Sequence, residues 1–399
     1  MKISFRILAA LLAVMVTVLS IGCSPAEEPP KSGNSEELNH MNNPVAKDDQ
    51  EIRLGAIMWY WCSSIVGTKE FATTGIADYR EPVWGYGYGE QEDMDYQIQL
   101  AYQYGLDFFA IDYYGTTMDY AYNYALDKFV ASPYSHLLDF CLIIVQDVAE
   151  EIPNYDDWDS VCDLWLSYLT MDNYLTVDGC PVLIFSNPIL MMQLMGERNT
   201  KEGLMRLEEK IKALGYPGIH YVGYIWDTYN YFLEQSYDEN SKPRSDLGDT
   251  IALYRSLGID TISQYNNISH SYYENGVAKM EMPYTEMTFR HELVWDAYTQ
   301  FEDVTYIPLL ISGWDNRPRE IPQKTPHATD RTAEAFTQHI LNSYEWIKEN
   351  PDTALGNIVI INSWDEVEEG SFIIPTKGEG YKMLEGLKAA ADAIKRNEK

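Results

Sequence analysis

The chain has 399 residues and a formal charge of −32, with 61 Asp and Glu against 29 Lys and Arg. A field of that sign repels nucleic acid and anionic membrane surfaces and disfavours strongly anionic substrates. The seven histidines are scattered without HExxH spacing and the five cysteines match no zinc pattern, so no metal or other cofactor is expected.

Residues 1–22 begin with Lys2 and Arg6, continue through an apolar stretch at 7–18, and end in Leu19-Ser20-Ile21-Gly22 before Cys23. A basic start, a short apolar core and small residues before a cysteine make an export signal rather than a membrane span. The segment resembles a bacterial lipoprotein signal, although Ser20 stands where such boxes usually carry an aliphatic residue. The resemblance implies lipidation of Cys23, contact with the membrane through that anchor only, and an extracytoplasmic place in the bacterial cell envelope. Residues 23–50 are rich in Pro, Glu, Asn and Ser, lack aromatics, and read as a disordered tether. Residues 51–399 form the expected folded domain, acting as a monomer. Apart from Cys23, the cysteines Cys62, Cys141, Cys162 and Cys180 could form two disulfides or remain buried thiols.

In the folded part, short apolar runs alternate with amphipathic stretches. Eight candidate strands fall at 54–59, 108–113, 140–145, 181–185, 220–225, 261–265, 306–311 and 358–361. Helical patterns occupy 94–104 and 201–214, each stopped by a glycine (Gly105, Gly215), and also 333–349 and 380–396. Strands alternating with helices imply parallel pairing through right-handed crossovers, and eight units imply a single (β/α)8 TIM-type barrel. The loop after the first strand, 62–91, is long and rich in Gly and Tyr, which suits a binding wall.

Barrel active sites form at the C-terminal ends of the strands. Those positions carry Trp59, Tyr60 and Trp61, then Asp112, Tyr113 and Tyr114, Gln146 and Asp147, Asn187, Trp226 and Asp227, Tyr265 and Asn266, Trp314-Asp315-Asn316, and finally Trp364 through Glu369. Aromatic faces stack on the C–H faces of sugar rings, while Asp, Asn and Gln take paired hydrogen bonds from hydroxyls. With 31 Tyr and 10 Trp, some aromatics fall at strand ends by chance, so the weight lies in the joint pattern. No GxSxG elbow or GxxxxGK phosphate loop is present, so chemistry falls to carboxylates. The segment Asn362-Ser363-Trp364-Asp365-Glu366-Val367-Glu368-Glu369-Gly370 supplies four of them after the last strand. Read alone, it is either a solvated acidic turn or a catalytic one. Glu366 and Glu369 are close enough in a turn to face one cavity, where mutual repulsion would protonate one and leave the other ionised.

Asn362-x-Trp364-Asp365-Glu366-x-x-Glu369-Gly370 resembles the N-x-W-N-E-W-x-E-G motif of the WbsX-type, glycoside hydrolase family 99-like domains. The segments running from Gly313 to Arg319, from Ala101 to Phe109 and from Val177 to Leu183 are similar to further phrases of that family. The resemblance spans nearly the whole folded part. It implies an exported glycoside hydrolase acting on a poly- or oligosaccharide, endo-acting and retaining, on α-mannoside-like substrates. By motif, Glu366 would deprotonate the sugar's own 2-hydroxyl and Glu369 would be the general acid/base. Trp314, Asp315, Asn316, Trp364, Asp112, Tyr114, Tyr60 and Trp226 are the expected sugar contacts. Asp365 replaces the family's usual Asn and Val367 its usual Trp, which leaves the reactive subsite, and so mannoside specificity, open. Two alternatives stand beside hydrolysis: a non-catalytic glycan-binding lipoprotein, and a WbsX-like glycosyltransferase.

Overall fold

A computed structural model describes residues 51–59, 76–85, 90–115, 123–145, 157–226, 228, 247–267, 272–319 and 323–397. The signal, the tether, Cys23, Tyr60, Trp61, Cys62, Gln146, Asp147 and Asp227 lie outside these residues, as does most of the aromatic loop at 62–91.

The eight expected strands all form. They are β1 (Arg53–Met58), β2 (Phe108–Tyr113), β3 (Asp139–Ile144), β4 (Cys180–Phe185), β5 (His220–Tyr224), β6 (Thr261–Ser263), β7 (Thr305–Tyr306, resuming as Leu309–Ile311) and β8 (Ile358–Asn362). Each pairs in parallel with its sequence neighbour, and β8 pairs with β1 through Arg53↔Ile358 to Ala56↔Ile361. β7 is broken because Pro308 offers no N–H. Its first piece pairs with β6 and its second with β8. Between the pieces, Ile307 N–H donates to the Ile262 carbonyl and Ile360 N–H to the Pro308 carbonyl, both at 3.0 Å, so the ring closes.

A helix follows each strand: α1 (Gln91–Gln103), α2 (Tyr124–Ala131), α3 (Trp158–Leu169), α4 (Glu197–Ala213), α5 (Leu247–Leu257), α6 (Tyr284–Tyr298), α7 (Ala333–Glu349) and α8 (Lys382–Asn397). The glycines after α1 and α4 take the left-handed conformation that ends a helix, with φ of 90° at Gly105 and 100° at Gly215. Strands covered on the outside by helices and packed inside against one another are buried on both faces. This is why β8 can read Ile-Val-Ile-Ile without a polar break, and all of it is buried.

Strand alternation sets what faces the interior. Phe109 packs edge-on against Phe129 of α2, so it points outward. Phe108 therefore points inward, where its ring fills the space that a Cβ on Gly55 would need. Two steps of two residues along β2 bring Asp112 to the inner face at the C-terminal rim. On β5 the same argument applies: Tyr221 donates outward to the Leu204 carbonyl of α4, so Tyr224 points inward.

Cys141, Cys162 and Cys180 are free thiols, which excludes two disulfides among the four candidates. Among the described residues no helix is long and apolar enough to cross a membrane.

Candidate active site

The acidic segment after β8 folds into a small hairpin. Asp365–Glu366 pairs antiparallel with Ser371–Phe372, and 367–370 form the turn. The Asn362–Ser363 peptide bond at its entry is cis. Ser363 Oγ accepts from Glu366 N–H at 2.9 Å and donates to the Ser371 carbonyl at 2.6 Å. Asn362 Nδ2 donates to the Tyr265 carbonyl at 2.6 Å, which joins the ends of β8 and β6.

Glu366 and Glu369 meet contrasting surroundings. Glu369 Oε1 accepts from Arg319 Nη1 at 2.6 Å, and Oε2 accepts from the Tyr265 hydroxyl at 2.8 Å. Glu366 is 6% exposed, and its Oε2 has no hydrogen-bond partner among the described residues. Burial, then the charges of Glu369 and Asp365, hold its carboxyl well above the usual range, while Arg319 partly opposes them. Glu368 is also raised, by burial first, and its Oε2 lies 3.7 Å from Arg319 Nε. Burial works against the charge of Arg319, but Glu369, Glu366 and Glu368 raise its pKa in sum. The Tyr265 phenol is pushed well up, mainly by burial and then by Glu366 and Glu369. Such a group of carboxylates around one guanidinium binds protons more tightly than a solvated turn would.

Asp112 and Trp226 belong to this constellation. Asp112 is buried, and its charge adds to the causes that raise Glu366 and Tyr265. Trp226 is half-buried, its indole N–H donates to the Ser186 carbonyl at 2.7 Å, and its ring tilts against Tyr265 at 5.7 Å between centroids. Tyr114 is half-buried just beyond β2, with its backbone N–H held by Asn123 Oδ1 at 3.0 Å. Asn316 is half-buried in a turn, its carbonyl accepting from Arg319 N–H at 3.0 Å.

Other expected contacts point elsewhere. Trp364 is fully buried, stacks edge-on with Phe109 at 5.3 Å and donates to Gln97 Oε1 of α1 at 2.8 Å. It faces the helical layer and has no face to offer a sugar. Trp314 is 6% exposed, and its indole donates to Thr325 Oγ1 at 3.2 Å. Asp315 is bound by two guanidiniums: Arg80 at 2.5 Å and Arg317, which bridges both oxygens at 2.7 Å. Burial alone would raise its carboxyl, but Arg317 and Arg80 together bring it below the ordinary range. Asp365 Oδ1 accepts from the Trp59 N–H at 3.1 Å and so fastens the hairpin to β1. Val367 is 1% exposed, so the missing indole of the motif falls at a buried position.

Three residues that strand-end reading passes over stand in or beneath this site. Arg319 sits in the motif after Trp314 and was legible there. Tyr224 is buried at the inner end of β5, its phenol pushed well up by burial and then by Asp112. Arg80, nearly three hundred residues before the turn it contacts, carries no local signal.

Among the described residues, no group of three or more His, Cys, Asp or Glu side chains is placed to hold a metal ion. The arrangement is that of a (β/α)8 barrel with a group of carboxylates on one turn at its C-terminal rim, a fold it shares with glycoside hydrolases. It is similar to a GH99 endo-α-mannosidase from Bacteroides thetaiotaomicron in two structures. At 12% identity, one gives a TM-score of 0.58 and the other, in complex with BIS-TRIS-propane, 0.56, each covering 88% of this chain and 99% of that one. A glycoside hydrolase-like protein matches equally, with TM-score 0.57 and 12% identity over 89% of this chain and 98% of that one. No curated protein matches. Residues 84–387 match the family described as Glycosyltransferase WbsX, and the chain belongs to that family.

Proposed function

We propose that this chain is a glycoside hydrolase that cleaves a poly- or oligosaccharide, with Glu369 as general acid/base and Glu366 as the base that activates the sugar's 2-hydroxyl. The observation that carries the reading is the pair itself: two carboxyls on one turn at the barrel rim, one ion-paired with Arg319, the other buried. Carboxylates so placed titrate as a pair, and burial with the neighbouring carboxylates raises Glu366. Burial and the neighbouring carboxylates favour the proton on Glu366, and the Arg319 guanidinium favours the charged form of Glu369. A 2-hydroxyl donating to Glu366 requires the reverse, so the proton passes to Glu369 as the sugar binds. From Glu369 it can be given to the departing glycosidic oxygen, and the same residue can then deprotonate water.

The GH99 endo-α-mannosidase likeness supports an endo-acting, retaining enzyme and α-mannoside-like substrates. The leader and tether support export and anchoring of the chain through a lipid on Cys23 in the bacterial envelope. Incubation of the purified chain with a panel of α-mannans and other polysaccharides tests the activity, alongside Glu369→Gln. Release of oligosaccharides by the wild type and none by the variant is expected; equal release by both removes Glu369 from the mechanism. The family's description favours a second reading, glycosyl transfer. That reading requires binding of a nucleotide sugar, which calorimetry measures directly.

A further inference from the structure

The four carbonyls of the turn between the two glutamates and its exit are all taken by other parts of the chain. Arg80 Nη1 donates to the Val367 carbonyl at 2.7 Å and to the Glu368 carbonyl at 3.1 Å. The Asp315 N–H donates to the Glu369 carbonyl at 2.6 Å. Arg331 reaches the Gly370 carbonyl at 3.4 Å and the Phe372 carbonyl at 2.7 Å. Arg80 Nη2 also donates to the Asp315 carbonyl at 3.1 Å and pairs with Asp315 Oδ2 at 2.5 Å. Arg80 is thus the link between the loop after β1, the loop after β7 and the turn after β8. Its side chain is 5% exposed, although a buried guanidinium is costly unless its donors are satisfied.

We propose that Arg80 is a positioning residue for the Glu366–Glu369 pair, holding the turn between them through its backbone carbonyls. The proposal rests on the reading of function above. The physical need is plain. Asp365, Glu366, Glu368 and Glu369 repel one another within one short hairpin, and an unheld turn would open to separate them. A guanidinium set against the carbonyls supplies positive charge without occupying the carboxylates, and its planar fork of donors serves several acceptors at fixed angles where a lysine could serve fewer. Burial lowers the Arg80 pKa to about 10 against the pull of Asp315, so it stays charged at neutral pH. The short helix Ile76–Arg80 delivers it, and Gly370 leaves room for it: a Cβ there would come within 2.9 Å of Arg80 Nη2.

The test uses the full chain with Arg80→Ala and Arg80→Lys, read by amide exchange and by kinetics. Faster exchange across residues 363–372 with unchanged protection in β2 and β3 is expected for Arg80→Ala. A fall in kcat of about 100-fold with little change in KM is expected as well, the size that follows a displacement of about 1 Å in a reacting group. Added guanidinium ion should restore part of the rate in Arg80→Ala, and Arg80→Lys should fall between. If Arg80→Ala fails to fold, because Asp315 loses its buried partner and keeps only the more exposed Arg317, the double variant Arg80→Met, Asp315→Asn removes both charges and is read in the same way. Unchanged exchange in the turn, or a kcat within about twofold of wild type in a folded variant, overturns the proposal. If the wild type acts on no glycan, the functional reading falls, while the exchange experiment still decides what Arg80 does.

Discussion

Arg319 donates to Glu369 at 2.6 Å, and its charge also lowers the proton affinity of Glu366, against burial and the neighbouring carboxylates that raise it. It is the cation that opposes the carboxylates around Glu366. Removing it should bind the shared proton more tightly. The acidic limb of the kcat/KM profile of Arg319→Gln is therefore expected to move up by about one pH unit, costing roughly tenfold in rate below the limb. Arg319→Lys should preserve the limb. The Arg319 side chain is 47% exposed, so solvent and salt screen the effect and high ionic strength should shrink the difference. A limb that stays in place would remove Arg319 from the proton balance.

The roles of the two glutamates separate with leaving group. A general acid matters little when the departing group is a good one, whereas activation of the 2-hydroxyl is needed whatever departs. Glu369→Gln should lose about 100-fold or more on an unactivated glycan yet keep most of its first-step rate on an aryl glycoside with an acidic phenol. Glu366→Gln should be poor on both. The opposite ranking would exchange the two assignments.

The raised carboxyl of Glu366 also fixes a sign for stability. A group that holds its proton more tightly folded than unfolded contributes stability below the unfolded value, near 4.3, and loses it as pH rises toward the folded value. Wild-type protein should therefore lose stability as pH climbs from about 5 into the neutral range. Glu366→Gln keeps the shape without the charge and should melt higher than wild type near neutrality, the gap closing at acid pH. Parallel melting curves across that range would mean that Glu366 titrates as an ordinary carboxyl.

How much of this was legible depends on the reach of each interaction. The strands were, because in a parallel barrel both faces are buried and the apolar runs are unbroken. The stops at Gly105 and Gly215 were legible because a single left-handed residue ends a helix. The place of Glu366 and Glu369 followed from strand order alone. Which way Trp364 and Asp315 point did not: Trp364 turns to Gln97, 267 residues away, and Asp315 to Arg80, 235 residues away. Strand-end position gives the rim but not the direction of a side chain. Asn275-Gly276, both with positive φ, turns a hairpin joining Tyr272–Glu274 to Val277–Lys279, a local signal that strand counting for a barrel passes over.

The Asp315–Arg80 pair carries the opposite sign. Asp315 is held below the usual carboxylate range against burial, by Arg317 first and then by Arg80, so its stabilisation is present above the unfolded value near 3.9 and disappears as pH falls through the lower folded value. Both side chains are nearly buried, at 5% and 14% exposure. Asp315→Asn leaves the Arg80 charge without its partner and should destabilise by about 3 kcal/mol at neutral pH, much less at strongly acid pH. Denaturant melts at both ends of the range measure it; an equal loss at both would show that Asp315 acts through shape and not charge.

Gly370 offers the most economical test of the turn. Its φ is 69°, and a Cβ would meet the Asp315 amide nitrogen at 2.7 Å, Asp315 Cβ at 2.8 Å and Arg80 Nη2 at 2.9 Å. Two costs therefore add in Gly370→Ala: left-handed strain of about 1 kcal/mol and a clash against groups that cannot yield without breaking the Asp315–Glu369 backbone bond. The turn must shift, and Glu369 with it. A loss of stability of about 2–4 kcal/mol is expected, with kcat falling further than that loss explains, because the folded fraction still carries a displaced acid/base. Full specific activity in the folded fraction of Gly370→Ala would show that the pair tolerates movement of its turn.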